Sequence, residues 1–236
     1  MKIIILSVTK YKEKDAIINA VSEAGYVSLT AKGILDPKCK NHELNNILSI
    51  VDVDFIEGDY KYPLIKRSKV LVSPVDLNSD YYLMATLMLL SESTLHLLEE
   101  SEYYKMYNHL HDAIVALKEG EEYLKVALIY LARIINYAGY QFEFNHCIYC
   151  GSKQNISSFS FAEGGFVCKN CASEDTQNDL TPKQLKLLRA TFLVKDYKIP
   201  DNIFNKEDGL YLLIKYGHFI EDGLGYSLNS IKLITK

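Results

Sequence analysis

Cys147-Ile-Tyr-Cys150-Gly-Ser-Lys-Gln-Asn-Ile-Ser-Ser-Phe159-Ser-Phe-Ala-Glu-Gly-Gly165-Phe-Val-Cys168-Lys-Asn-Cys171 is the stretch that decides how this chain is read. It holds two C-x₂-C pairs, with seventeen residues between Cys150 and Cys168. Thiolates two residues apart can bind one ion from a single turn, and two such turns complete a tetrahedral shell. Gly151 follows the second ligand, where a tight turn needs a residue free to take positive φ. Phe159-Ser160-Phe161 alternates as a strand does, Glu163-Gly164-Gly165 reads as a turn, and Phe166-Val167 reads as the returning strand. The expectation is one structural Zn²⁺ held by Cys147, Cys150, Cys168 and Cys171. Four thiolates leave no open position for a substrate, so a catalytic metal is not expected.

Disulfides are the competing use of the cysteines. The count is five, with Cys39 standing alone. The start of the chain shows a short apolar run followed by Lys10, Lys12 and Lys14, not the pattern of a secretory signal. A cytoplasmic, reducing compartment is expected, where C-x-x-C pairs are metal or redox sites. A thioredoxin-like site needs one such motif beside a βαβ unit, and this chain has two facing ones.

Upstream of the cysteines the chain reads first as β and then as α. Ile3 to Val8 is a β-branched run, Tyr26 to Ala31 and Ile50 to Ile56 alternate, and Leu64 to Val72 forms a further strand before Ser73-Pro74. Gly58-Asp59 reads as a turn. The stretch Asp15 to Ala24 suits a short helix about as well as a strand. Four or five short strands without βαβ spacing point to a small barrel. After Pro74, helices are expected over Tyr81–Leu98, Tyr104–Leu117 and Glu121–Ala138, the last with Leu124, Leu128, Leu131 and Ile135 on one face. His109 and His111 sit two apart on a helix, which points them in different directions and discounts a metal pair. Past the cysteines, Thr181-Pro182-Lys183-Gln184 is a capping box with Pro at the first helical position, and a last helix runs from about Lys206 to Glu221. The expected fold class is α+β in two modules. An OB-type barrel occupies 1–77, and a helical domain occupies 78–236 with the zinc hairpin inserted at 147–171.

Composition narrows the function. The 236 residues are 48% hydrophobic, enough for a core, and the apolar run Tyr81–Leu90 is too short to span a bilayer. Net charge is −4 overall, yet residues 1–40 carry seven lysines against four acids, so the rest of the chain is more acidic than the total. That segment is the best place for a polyanion. Tyr11 lies among Lys10, Lys12 and Lys14, Tyr60 and Tyr62 flank Lys61, and Lys66, Arg67 and Lys69 add charge to the last strand. Cations that neutralise phosphates and aromatic faces that stack on bases are what a barrel uses to hold single-stranded nucleic acid. No P-loop, dinucleotide fingerprint, H-E-x-x-H, nucleophile elbow or deaminase signature is present, so no enzyme is expected. The alternative still open is a zinc-ribbon protein associated with transcription or RNA, which would use the hairpin itself as its contact surface. Against it, Lys153 and Lys169 are the hairpin's basic residues, and its phenylalanines read as packing.

The order of parts, barrel then helices then an inserted four-cysteine hairpin, resembles the bacterial RecO family of DNA-repair proteins. The family shows an apolar helix bearing an Arg, then L-G-Y, C-x-x-C-G and F-S-x-x-x-G-G-x-x-C-x-x-C. Here Arg133 precedes Gly139-Tyr140, Cys147-Ile-Tyr-Cys150-Gly151 follows, and Phe159-Ser160 leads through Gly164-Gly165 to Cys168 and Cys171. Ala31-Lys32-Gly33, Leu180-Thr181-Pro182 and the closing Gly223-Leu-Gly225-Tyr-Ser-Leu-Asn-Ser match as well. The chain departs in having Leu131 where the family usually has Glu, and in an amino-terminal module less rich in Arg. The resemblance implies a cytoplasmic, nucleoid-associated mediator of recombination that binds single- and double-stranded DNA. Such a protein anneals strands coated by the single-stranded-DNA-binding protein and works with RecR to load RecA. It further implies that Lys10, Lys12, Lys14, Lys32, Lys38 and Lys40, joined by Lys66 and Arg67, supply the DNA surface, with Arg133 a candidate for meeting the acidic tail of the coating protein.

Overall fold

In the computed structural model, which describes residues 1–58, 61–173 and 180–236, five strands close into a barrel in the order β1-β2-β3-β5-β4. These are β1 (Lys2–Lys10), β2 (Ala16–Ser22), β3 (Gly25–Ala31), β4 (Ile50–Ile56) and β5 (Leu64–Val72). Asp59 and Tyr60, read above as part of a turn and as one of two tyrosines beside Lys61, lie outside the described residues. All neighbouring pairs are antiparallel except β3 and β5, whose parallel contact at Thr30 and Leu64 closes the barrel. Ile3, Ile5, Ile18, Leu29, Val51, Val53 and Ile65 fill the interior. They recur at period two along each strand, which is why these segments pleat with one face inward. The ambiguous stretch is a strand: Ala16, Ile18 and Ala20 are buried inside, and its register runs from Ala16 opposite Ala31 to Ser22 opposite Gly25.

The chain changes from strand to helix between Val72 and Tyr81, and the contact-dense units divide later, between Tyr123 and Leu124. The reason is that α1 (Tyr81–Leu97) and α2 (Tyr103–Lys118) bury their apolar faces on the barrel. The buried Ser91 hydroxyl donates to the carbonyl of Leu6 at 2.9 Å, and Tyr103 meets Tyr26 with ring centroids 5.2 Å apart. Asp80 caps α1 by accepting from the backbone N–H groups of Tyr82 and Leu83.

The second unit is built around α3 (Tyr123–Tyr137), whose expected stripe of Leu124, Leu128, Leu131 and Ile135 is fully buried. Lys125 is also buried, and its ammonium reaches Asp201 at 2.5 Å and lies over the Phe204 ring at 5.2 Å. The hairpin β6 (Ile156–Ser160) and β7 (Gly165–Cys168) follows, then α4 (Pro182–Leu193), α5 (Lys206–Leu224) and a short α6 (Asn229–Ile234) that the sequence did not announce. The capping box at α4 is complete. Thr181 Oγ1 accepts from the Gln184 N–H at 3.2 Å, and Gln184 Oε1 accepts from the Thr181 N–H at 2.8 Å. Among the described residues no helix is long and apolar enough to cross a membrane.

Candidate metal centre and nucleic-acid interface

The four cysteine sulfurs lie within 4.8 Å of one another, with Cys150 and Cys168 3.6 Å apart. Each pair sits in its own tight turn. The Gly151 N–H donates to the Cys147 carbonyl at 2.9 Å, and Gly151 takes φ +71°, the conformation its place after the ligand required. On the other side the N–H groups of Cys171 and Ala172 both donate to the Cys168 carbonyl at 3.0 Å. Gly164 supplies the turn between the strands at φ +80°, but Gly165 has a different task from the one expected. It opens β7, where a Cβ would stand 2.5 Å from Ile148 Cγ2 and 2.9 Å from the Glu143 carbonyl oxygen. Its missing side chain lets the return strand lie directly on the first cysteine turn.

Cys147 and Cys168 are buried, Cys171 is half-buried and Cys150 is exposed. Four thiols this close cannot all ionise without a cation. Burial opposes the Cys147 thiolate, but the backbone around Cys168, Cys150 and Tyr149 outweighs it and brings the thiol down to about 6. Cys171 is driven the other way, to about 12, because its thiol bonds to Cys150 and Cys168. A divalent ion removes that conflict by stabilising every thiolate at once. The donor set therefore fits a soft metal ion. His146 stays outside it, 3.5 Å from Glu143 through Nε2.

Behind the cysteines the hairpin is anchored by rings. Phe144 stacks on Phe159 at 5.3 Å and 9°, Phe142 meets Phe159 edge-on at 5.3 Å, and Phe192 of α4 lies 5.0 Å from Phe144. Tyr216 of α5 is fully buried beside Phe192 and shares a 2.5 Å hydrogen bond with Thr191, and burial pushes its phenol well up. Phe159 and Phe166 thus face inward, which removes them as a contact surface for RNA.

Lys10, the turn 11–15 and the segment that follows β3 meet at one end of the barrel. Lys10 ends β1, the turn 11–15 carries Lys12 and Lys14, Lys32 follows β3, and Lys38 and Lys40 lie in the segment leading to β4; all six are exposed. Two carboxylates tie the two loops. Asp15 Oδ1 accepts from the Gly33 N–H at 2.9 Å, and Asp36 accepts from the Lys14 ammonium at 2.8 Å. The Leu35 N–H also donates to the Lys14 carbonyl at 3.1 Å. The sequence counted Asp15 and Asp36 only as negative charge, whereas their positions make them the fasteners that hold lysines about twenty residues apart in one array. The spacing of Asp15 just before a strand was the available signal, since a carboxylate there can reach backbone donors.

Lys66 and Arg67 are exposed on β5, at a bulge where the register with β4 shifts between Asp54 and Phe55. Arg67 lies opposite Asp54 and Lys69 opposite Asp52, so part of the charge on that face is compensated across the strands. Asn41 Oδ1 accepts from the Ser68 hydroxyl at 3.0 Å, which brings the Lys40 end of the long loop to this strand. Arg133 is placed differently. Its guanidinium donates to the carbonyls of Phe192, at 3.1 Å, and Val194. Among the described residues it has no acid partner of the kind a surface arginine usually has; it satisfies the end of α4, where carbonyls lack intrahelical donors.

Comparison with known proteins adds to this geometry. The family model described as "Recombination protein O C terminal" matches residues 78–198. A protein from Oceanobacillus iheyensis named DNA repair protein RecO is 24% identical over 243 residues, covering 99% of this chain and 91% of its own length. Its namesake from Bacillus subtilis is 23% identical over 214 residues, 87% of this chain and 81% of its own. The one from Mycoplasma mycoides is 27% identical over 180 residues, 74% and 72% respectively.

Proposed function

The chain belongs to the RecO family of DNA repair proteins, and from that premise we propose that it is a recombination mediator acting on DNA through the lysine-bearing end of its barrel. A role in DNA repair and recombination follows from the family. The finer reading is that it binds single- and double-stranded DNA and anneals complementary strands coated by the single-stranded-DNA-binding protein. With RecR it then helps to load RecA. The observation that supports the reading is that bonds from Asp15 to Gly33 and from Lys14 to Asp36 join the turn 11–15 to the segment after β3, so that exposed lysines from both stretches lie close together. No covalent bond is made or broken in annealing. Two polyanions repel, and a fixed positive surface offsets that repulsion while releasing counterions from both strands. The four cysteines hold one Zn²⁺, whose chemistry is structural: it fixes the hairpin on the helical unit. Cys147, Cys150, Cys168 and Cys171 fill the shell and leave no position for a substrate.

The test is annealing of two complementary oligonucleotides, each coated beforehand with the single-stranded-DNA-binding protein from the same cell. Acceleration without ATP that weakens as salt rises is expected. The triple substitution Lys12→Glu, Lys32→Glu, Lys40→Glu should slow annealing and flatten the salt dependence of DNA binding. For each phosphate that is no longer neutralised, the slope should fall by roughly 0.7 on single strands and roughly 0.9 on duplex. An unchanged affinity and slope in the triple variant would remove the barrel end as the DNA surface.

A further inference from the structure

Resting on that reading of the barrel end, we infer that Tyr11 is a base-stacking platform that makes this surface prefer single strands to duplex. The residue sits directly after β1, at the mouth of the turn 11–15. Its backbone is fixed. The N–H groups of Tyr11 and Lys12 both donate to the Asp15 carbonyl, at 3.0 and 3.3 Å, and the same turn is tied to the neighbouring loop at Gly33 and Leu35. On this rigid base the ring stands 46% exposed, and among the described residues its hydroxyl has no hydrogen-bond partner. The Lys12 ammonium lies 5.3 Å from the ring centroid, and Lys10, Lys14 and Lys32 flank the same end of the barrel.

An isolated exposed tyrosine needs no explanation. This one is different in its setting: an apolar ring on a backbone fixed by its turn sits beside the cations that would bring a phosphate backbone past it. A base can lie on that face only if it has left its own stack. A single strand offers such bases, while a duplex keeps its base faces against each other and presents edges and phosphates. Per phosphate the lysines respond more strongly to the more densely charged duplex, so any preference for single strands has to come from the ring.

The chain contains no tryptophan, which gives a direct readout. In Tyr11→Trp the new indole is the only one, and stacking quenches its emission. A thymidine oligonucleotide and a blunt mixed-sequence duplex serve as probes for the full-length wild-type chain and for Tyr11→Ala, Tyr11→Phe and Tyr11→Trp. Tyr11→Ala should raise the ratio of the single-strand Kd to the duplex Kd by roughly 5- to 150-fold, as loss of one stacked base does. Tyr11→Phe should restore the wild-type ratio, and Tyr11→Trp should be quenched by the oligonucleotide at saturation and not by the duplex. If Tyr11→Ala weakens both probes equally, or leaves both unchanged while the triple lysine variant loses binding, stacking is overturned and the electrostatic surface stands. If the triple variant and Tyr11→Ala both bind as the wild type does, the reading of the barrel end falls and this inference falls with it.

Discussion

The lysine-bearing end of the barrel and the cysteine hairpin are both short stretches set on a larger scaffold, yet they are held by opposite means. The hairpin is packed: Phe144, Phe159 and Phe166 are buried, Gly165 lets backbone touch backbone, and the thiols converge on one point. The barrel end is fastened: its lysines are exposed, and its loops are joined by one ion pair, one carboxylate-to-backbone bond and one backbone bond. The difference separates a part whose side chains are mostly turned inward from a part whose charged side chains face solvent. Burial is incompatible with a surface that meets phosphates, so the barrel end relies on directional bonds between its loops.

The sharpest way to break the comparison is to remove a cysteine. Cys150→Ser takes away the exposed ligand without opening a cavity, so any loss of stability reports the ion and not packing. In isolated finger peptides zinc binding carries on the order of 10 kcal/mol of folding energy. Here the ring cluster should retain part of the fold, so the variant should lose its metal and melt at a much lower temperature. Metal analysis beside a thermal melt decides it. A wild-type chain that purifies without metal, with a Cys150→Ser variant of equal stability, would remove zinc from the account.

Packing should come next in size. Phe159 is 1% exposed and touches the rings of Phe142, Phe144, Phe161 and Phe166, so Phe159→Ala should cost about 3–5 kcal/mol. Metal content should stay at one ion per chain in the folded fraction, because the cysteine turns are closed by their own backbone bonds. Loss of metal and stability together in Phe159→Ala would show that the rings and the thiols form one inseparable structure, and the distinction between packing and ligation within the hairpin would disappear.

How far these parts could be read in the sequence follows from the same contrast. The hairpin was legible almost to the residue, because ligand spacing and turn glycines are local and the strands between them are short. Two details were misread: the first strand runs from Ile156 to Ser160, with Phe161 already in the turn, and Gly165 opens the return strand, since its need for close approach to Ile148 and Glu143 comes from residues about twenty positions earlier. The barrel was legible in most strands and ambiguous in β2. There Val21, on the outer side, is buried as well as its inner neighbours Ala20 and Ser22, because α2 packs on β2, and covering both faces erases the alternation that marks a half-exposed strand. The same packing of α1 and α2 moves the division between compact units to Tyr123, past the change from strand to helix that the sequence displays. Arg133 stood out as an arginine on an apolar helix, but the carbonyls it meets lie some sixty residues onward, beyond the reach of any local pattern.

The smallest effect belongs to the tie between the two lysine loops. The hydrogen bond from Lys14 holds the Asp36 carboxyl below its ordinary range, helped by the Lys38 N–H, and partial burial opposes the shift only weakly. A carboxyl whose folded pKa is depressed contributes stability that is fully present above its unfolded value. The contribution is lost as pH falls through the folded one. The tie is therefore complete throughout the neutral range and opens only in acid, so DNA binding between pH 6 and 8 should not vary through this pair. An NMR titration should show Asp36 ionising below an ordinary aspartate, and Lys14→Met should return it to the usual range. Because both groups are exposed, the melting temperature of Lys14→Met should barely move. What should change is the spread of the loops, seen as broadened amide signals for residues 11–15 and 32–40. An Asp36 that titrates normally in the wild type would mean that the array depends on Asp15 and the Leu35 amide alone. The contrast with the hairpin would then narrow, for the barrel end would also be held chiefly by its backbone.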